Sequence, residues 1–507
     1  MKKFASCLLI AALVLGLFSG LGSSTAWADS GKVRATTNGR AENSLTVDIT
    51  EMITTLDPQL FASQIEDTII IQVYEPLLLI EDDGSYTKVL AEDYTVNEDG
   101  SVDFVLKDAK FHSGDSVKSE DVAYTLSRIE LSALVSPLFG MIETEIVDDT
   151  HFRWTFPYAD MGAGFDDLMP YVQNVNIVNK SWAEERIDDP NSKLGIEEDG
   201  SGAYCFDSLA DNGDVTLRRF EDYHGTASID TLYFRLVTGD PELAFESGDL
   251  DLATYKRSTF DIISQYDNVA TRVYNVNNVA FMIMNCSEGF PTADFRVRQA
   301  IAYALSREDL AGVASDDGGT TAYSLATPLV TYFTDNTEHY DFDLDKANEL
   351  MSEAGYSKSN KANLTLIVMS AYPDWVSCCE VVKEMLEQSY FTVKIEQIPD
   401  TARYFMGDYD LGLISIGLTT NFASYSALFD METGLNLAMY TEPEVLEAFA
   451  AIQDEASAQN AMKLATDCLA YYPIYYPAYF SAFDADLNSG YYYGSYNGFL
   501  YRDFSWK

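Results

Sequence analysis

Carboxylates are the commonest reactive groups in this 507-residue chain. Asp and Glu number 80 against 32 Lys and Arg and four His, a formal charge of −48. Two carboxylates can hydrolyse a glycoside when they stand about 5–10 Å apart across the sugar. With so many acids, such pairs arise by chance. Asp249 and Asp251 flank Leu250 where a turn runs into a strand, and strand alternation sends them to opposite faces. His112, His151, His224 and His339 are scattered, with no two at i, i+4, so no His-based metal site is expected. Each reads as a surface or hydrogen-bonded loop residue. No G-x-x-x-x-G-K-[ST], G-x-S-x-G or H-E-x-x-H occurs. The expectation is a protein that is not an enzyme and needs no cofactor or metal.

Cys205, Cys286, Cys378, Cys379 and Cys468 are sparse and form no C-x-x-C, so they read as small buried apolar side chains, with one disulfide pair left open. Aromatic residues are plentiful, with 33 Tyr and 28 Phe. They cluster at Tyr471-Tyr472-Pro473-Ile474-Tyr475-Tyr476 and Tyr491-Tyr492-Tyr493, where they could line a cleft for a peptide or sugar, or pack between layers. The acidic surface repels phosphate backbones and anionic lipid, which argues against nucleic-acid and membrane-surface partners.

The first 28 residues read as a secretory signal peptide. Lys2 and Lys3 are the basic start, Phe4 to Phe18 the apolar run, and Ala26-Trp27-Ala28 an A-x-A site. The only cysteine there, Cys7, stands at the start of the apolar run, so no lipobox cysteine follows it. A soluble protein, periplasmic or at the cell surface, is expected.

The elements that must position any site alternate. Leu45 to Ile49, Ser101 to Leu106, Val215 to Leu217 and Leu232 to Val237 read as strands. Ser119 reads as the N-cap of a helix with Val122, Leu126 and Ile129 on one stripe, and Asp294 as the start of another. Ser306-Arg307-Glu308-Asp309 resembles a capping box. Residues 188–202 are rich in Asp, Glu and Gly, marking a boundary or long loop. Thr271 to Asn285 is a long β-prone run, a candidate crossing strand. Leu344 to Ala354 (closed by Gly355), Leu364 to Met369, Val376 to Gln388, Phe391 to Ile398 and Tyr409 to Ile416 give helix, strand, helix, strand, strand. That order predicts an α/β fold with a mainly parallel sheet and ligands at the carboxyl ends of its strands.

Several segments resemble the extracytoplasmic substrate-binding proteins of ABC importers, family 5, the oligopeptide, dipeptide and nickel binding class. They are Thr55-Leu56-Asp57-Pro58, Val73-Tyr74-Glu75-Pro76-Leu77-Leu78 and Leu90-Ala91-Glu92. The most specific is Lys110-Phe111-His112-Ser113-Gly114-Asp115-Ser116-Val117 with Glu120-Asp121-Val122-Ala123-Tyr124-Thr125-Leu126-Ser127-Arg128-Ile129. It is similar to the signature FHDGxPxTAEDVxYSxxRI. Gly202-Ala203-Tyr204, Ser247-Gly248-Asp249-Leu250-Asp251, Phe295 to Leu305 and Asp345 to Tyr356 also match in order.

The resemblance implies a two-lobed α/β fold of the periplasmic-binding-protein class II type, with an extra subdomain on the first lobe. It implies lobe I over 29–280, with an inserted subdomain at about 81–195, completed by about 475–507. Lobe II would then span 281–474. It implies a monomer that encloses a small, peptide-like solute and delivers it to an ABC permease and ATPase complex. A non-peptide solute (sugar, opine or metal chelate), a secreted hydrolase and a surface chaperone or sensor are the alternatives. Peptide binders of the family carry an Asp in W-x-A-D-Y-x-D-P that pairs with the peptide amine. Here Ile414 to Phe422 has neither that Trp nor that Asp. The expected ligand contacts are Ser63 and Gln64, then Phe281, Met282 and Asn285 on the crossing strand, then Thr419, Thr420, Asn421 and Phe422.

Overall fold

The computed structural model describes Ala35 and residues 42–507, apart from 61–62, 82–84, 130–141, 157–168, 187–194, 239–240, 256, 316–317, 371, 400, 418–421, 432–434, 491 and 494–497. The expected leader, and the candidates Thr419, Thr420 and Asn421, lie outside the described residues.

The chain enters through β1 (Ser44–Ile49), whose apolar residues are buried on a central strand. α1 (Gln64–Val73) follows, with Ser63 at its N-cap accepting the Glu66 amide at 3.2 Å. β2 (Leu78–Ile80) and β3 (Tyr86–Lys88) pair as a hairpin. Then come β4 (Ala91–Val96), β5 (Val102–Leu106), α2 (Ser119–Ser127), β6 (Glu143–Ile146) and β7 (His151–Thr155). These four strands form an antiparallel sheet in the order β4-β5-β7-β6. Its own core holds Phe104, Phe111, Phe152 and Trp154 together with Leu77 and Ile177. That separate core makes this stretch a subdomain inserted between β1 and the rest of its sheet. α2 starts one residue earlier than expected. Lys118 is its N-cap, its amide held by the Asp121 carboxylate at 2.8 Å. Val122, Leu126 and Ile129 are buried as the stripe predicts.

After α3 (Lys180–Arg186), the chain returns through β8 (Tyr204–Leu209), β9 (Val215–Arg219), β10 (Thr231–Leu236), α4 (Pro241–Glu246), β11 (Leu252–Tyr255), α5 (Arg257–Ile263) and β12 (Val269–Asn275). It then forms β13 (Asn278–Met284), α6 (Phe295–Ala304), α7 (Arg307–Ser315), β14 (Thr320–Thr321), α8 (Leu344–Glu353) and β15 (Ala362–Met369). α9 (Pro373–Glu387), β16 (Phe391–Ile398), α10 (Ala402–Met406), β17 (Leu411–Gly417), α11 (Pro443–Ala450), α12 (Glu455–Asp467), β18 (Tyr471–Tyr476) and β19 (Ala478–Asp484) follow.

Two large sheets result. One has the order β12-β19-β11-β1-β10-β9-β8, the other β14-β18-β13-β17-β15-β16. The mainly parallel sheet expected from sequence is corrected: both are mixed. β1 is parallel to β10 and β11, and β15 to β16 and β17, while the other pairs run antiparallel. The reason is connectivity. β8, β9 and β10 fold back on one another, and β18 and β19 return from far along the chain.

The chain passes between the sheets twice in the described residues, at Val276-Asn277 and at Pro477. The boundaries 280/281 and 474/475 expected from sequence fall inside β13 and β18. β13 separates two cores by strand alternation. Val279, Phe281 and Ile283 enter one, and Ala280, Met282 and Met284 the other. Pro473 lies inside β18 opposite Phe281, where the register slips, and the outer neighbour β14 reaches only Tyr475 and Tyr476. A residue without an N–H is tolerated at such a place.

Candidate functional site

Register places the carboxyl ends of the parallel strands. In the first sheet Ile49 lies opposite Leu236, Tyr255 opposite Phe480, and Asn275 opposite Ala478. The ends of β1, β10, β11 and β12 therefore share one edge with the start of β19. In the second sheet Asn278 lies opposite Gly417, Ala280 opposite Tyr475, and Met369 opposite Ile398. The ends of β15, β16, β17 and β18 share an edge with the start of β13. Both edges lead into the same two crossings. Ligands of open α/β sheets sit at such strand ends.

The loop leaving β1 is held rigidly. Asp57 and Arg128 form a buried ion pair of 2.6 Å, and Arg128 Nη1 also donates to Gln59 Oε1 at 2.9 Å. Gln59 Nε2 in turn donates to the Asn176 carbonyl at 3.1 Å. Glu66 Oε1 accepts the Thr54 amide and hydroxyl, both at 2.7 Å. These contacts fix the loop that delivers Ser63 to the head of α1.

A second set of contacts braces the far end of α1. Gly202 donates its amide to the Val73 carbonyl at 2.8 Å, and a Cβ on Gly200 would stand 2.0 Å from that carbonyl oxygen. The Glu75 carboxylate, 2% exposed, takes Tyr223 Oη and His224 Nε2 at 2.7 Å and Arg502 Nη1 at 2.9 Å. Burial alone would raise its pKa, but the His224, Arg502 and Tyr223 contacts outweigh it and hold Glu75 below the usual range. His112 meets Glu198 at 2.8 Å through Nδ1 and the Gly202 carbonyl at 2.9 Å through Nε2. Burial disfavours its charge, yet the Glu198 carboxylate overcomes that and lifts His112 well above its usual value. Both ring nitrogens then donate, as an imidazolium does. Thus His112 and His224 are hydrogen-bonded loop residues, as expected, and they clamp the inserted subdomain and the C-terminal segment to the first sheet.

At the crossings the walls are aromatic and polar. Tyr475 and Tyr476 leave β18 on opposite faces, joining the two cores that flank β13. On the Tyr476 side a cavity of about 250 Å³ is lined by Asn275, Thr321, Thr327, Phe333 and Tyr476. The buried Asn277 takes the Thr327 hydroxyl at 2.6 Å and pins this loop to the crossing. On the Tyr475 side, Trp375 Nε1 donates to Tyr475 Oη at 2.9 Å, and Tyr372 lies against Trp375 with ring centroids 4.5 Å apart. Tyr372 and Trp375 follow the carboxyl end of β15, and Tyr479 opens the β19 side of the first sheet.

The candidates from sequence separate on this geometry. Ser63 caps α1 at the end of the β1 loop, Gln64 is its first residue, and Phe422 opens a short 3-10 turn after β17. Phe281 and Met282 are wholly buried in the cores behind the edge. Asn285 lies just beyond the opposite end of β13, where its amide donates to the Gly407 and Tyr409 carbonyls at 2.8 Å. The crossing-strand residues that do reach the edge are Asn275, Val276 and Asn277. Sequence reasoning missed them because Asn275-Val276-Asn277-Asn278 carries no Gly or Pro to mark where one strand becomes two. Tyr372, Trp375 and Tyr479 were missed too, their only signal being aromatic residues beside strand ends.

The family model for bacterial extracellular solute-binding proteins, family 5 Middle, matches residues 85–432. This chain belongs to that family. Among family members, it is 23% identical over 335 residues to the glutathione-binding protein GsiB of Salmonella choleraesuis, an alignment covering 62% of each chain. It is 25% identical over 304 residues to the nickel-binding periplasmic protein of Escherichia coli, covering 56% of each. The alignments thus span less than two thirds of these relatives. The crystal structure of a putative peptide binding protein, AppA from Clostridium difficile, superposes with a TM-score of 0.79 at 19% identity, covering 92% of this chain and all of that one. The fold is therefore the two-lobed α/β fold of periplasmic binding proteins. The family is a solute-binding class rather than a catalytic one. Among the described residues no helix is long and apolar enough to cross a membrane, and no group of three or more His, Cys, Asp or Glu is placed to hold a metal ion.

Proposed function

We propose that this protein is the extracytoplasmic solute-binding component of an ABC importer, a monomer that holds a peptide-like solute between its lobes and hands it to a membrane permease and ATPase complex. The supporting observation is the convergence of strand carboxyl ends from both sheets on the crossings at 276–277 and 477. A hinge at two short crossings lets the lobes close, and a solute that touches both edges favours the closed form. The proposed ligand contacts are Ser63 and Gln64 from the first lobe and Thr419, Thr420, Asn421 and Phe422 after β17. Phe281, Met282 and Asn285 form the rigid backing. The Lys2-Lys3 start, the Phe4 to Phe18 apolar run and Ala26-Trp27-Ala28 support export across the cytoplasmic membrane, with residues 1–28 as the signal peptide. The relatives' names support the ligand class: glutathione is a modified tripeptide, and the AppA structure carries a peptide-binding title.

One feature favours a second ligand class. The Ile414 to Phe422 segment lacks the acid that pairs with a peptide amine in the family, which suits a non-peptide solute.

Native mass spectrometry of residues 29–507, before and after mild denaturation, tests the proposal. A ladder of peptide masses released on unfolding is the expected result. A single non-peptide mass replaces the ligand class and keeps the receptor role. An empty protein that also binds nothing in a panel of peptides, sugars and chelates overturns the proposal.

A further inference from the structure

Aromatic residues of both sheets stand beside the crossings. Tyr372 and Trp375 pack at 4.5 Å between centroids and 31° between planes. Trp375 Nε1 donates to Tyr475 Oη, whose own proton points to the Ala314 carbonyl at 3.4 Å. The Tyr475 hydroxyl is therefore committed on both sides. Tyr479, on the first sheet, is the second residue of β19, two past the Pro477 crossing and four past Tyr475. Tyr372 is 47% exposed and Tyr479 36%, so both keep surface for a ligand.

One carboxylate stands among these rings. Asp374 lies in the first turn of α9, between Tyr372 and Trp375. Burial pushes the Tyr475 hydroxyl up to about 12, against the Trp375 hydrogen bond, which lowers it. The head of α9 contributes about half a positive charge, which the full charge of Asp374 more than offsets. Ring faces attract cations through their quadrupole, most strongly where water is excluded. The whole chain, at −48, adds a field of the same sign.

We infer that Tyr372, Trp375, Tyr475 and Tyr479, with Asp374, form a subsite for an ammonium or guanidinium group of the bound solute. This rests on the solute-binding reading above and narrows it to ligands carrying an organic cation. The subsite supplies, from another part of the cleft, the amine recognition that the Ile414 to Phe422 segment lacks.

The probes are choline and its neutral isostere dimethylbutanol, in which carbon replaces the charged nitrogen, titrated by saturation-transfer NMR into residues 29–507. Choline should bind at least about fivefold tighter, the lower range of a desolvated cation–π contact. Trp375→Leu and the milder Tyr479→Leu should each abolish that preference, and Asp374→Asn should reduce it about threefold. Equal affinity for the two probes overturns the inference and leaves an apolar subsite. Binding of neither probe by protein that still holds the solute found by native mass spectrometry also overturns it, while the receptor role stands.

Discussion

Asp57 and Arg128, 71 residues apart in sequence, form an ion pair of 2.6 Å with both side chains out of water. Asp57 belongs to the segment that follows β1, and Arg128 closes the most specific motif of the chain. The pair locks the inserted subdomain to the loop that carries Ser63. It is a structural use of two family motifs, not a ligand contact.

Removing one partner strands a buried charge. Arg128→Ala and Asp57→Ala should each cost about 3–5 kcal/mol, read from urea denaturation midpoints. The double substitution Asp57→Leu with Arg128→Met should recover most of that loss. If either single change leaves the midpoint where it was, the loop is not held this way.

Protonation should act in two opposite windows. Asp48 and Asp67 are both raised by burial, to about 6 and about 7. An acid raised in the folded state binds its proton more tightly there than in the unfolded chain, so stability falls as pH rises from about 4 through 7. His112, raised well above its usual value, works in the same direction: its contribution is complete below about 6.5 and is lost as pH rises through the folded value. Glu75 is held low, so its contribution is lost as pH falls below about 4.3. Denaturation midpoints should therefore peak in mildly acid buffer. Asp67→Asn should raise the midpoint at pH about 8 and flatten the fall. A midpoint that climbs steadily from pH about 5 to 8 would contradict this account.

Gly200 is fixed by contact, not by backbone angle. A Cβ there would lie 2.0 Å from the Val73 carbonyl oxygen, a backbone atom at the end of α1. Gly200→Ala should destabilise the protein by about 1–3 kcal/mol through forced displacement of α1. Thermal melting checks it, with Gly289→Ala as a control for the cost of positive φ alone, since nothing lies within 4 Å there.

What the sequence disclosed follows the range of the signal. β16 matches its expected bounds, Asp294 caps α6 at 2.9 Å to the Arg296 amide, and Gly355 closes α8 with φ +93°. Ser306 accepts the Asp309 amide at 3.4 Å, but its own amide faces Met385 Sδ, so only half of that capping box forms. All of these are local patterns. The mixed character of the sheets was not legible, because Leu252 pairs with Phe483 from the other end of the chain. The depth of His112 was hidden for the same reason, since Glu198 lies 86 residues away. Asn285 looked like a crossing residue because an unpunctuated β-prone run conceals the break at 276–277. Asp251, by contrast, follows the alternation argument: it is buried on the Thr46 amide at 2.8 Å, while Asp249 meets Ser247 at the surface.

Cys378, Cys379 and Cys468 should be inert in the folded protein. Cys378 and Cys468 are buried with thiols pushed up to about 12, and Cys379 is raised as well. The thiolate is the reactive form, so maleimide labelling at pH about 7.5 should spare these three until denaturant is added. Rapid native labelling of Cys378 or Cys379, mapped by peptide mass, would contradict the packing of α9 against the second sheet.

Hydrogen exchange with and without the solute released by denaturation is the most direct test of where this protein binds a solute. The account predicts protection together at residues 50–64, 275–278, 372–376, 419–422 and 476–480, the proposed contacts of both lobes and the crossings between them. Protection confined to one sheet, or to the outer face of the inserted subdomain, would contradict it.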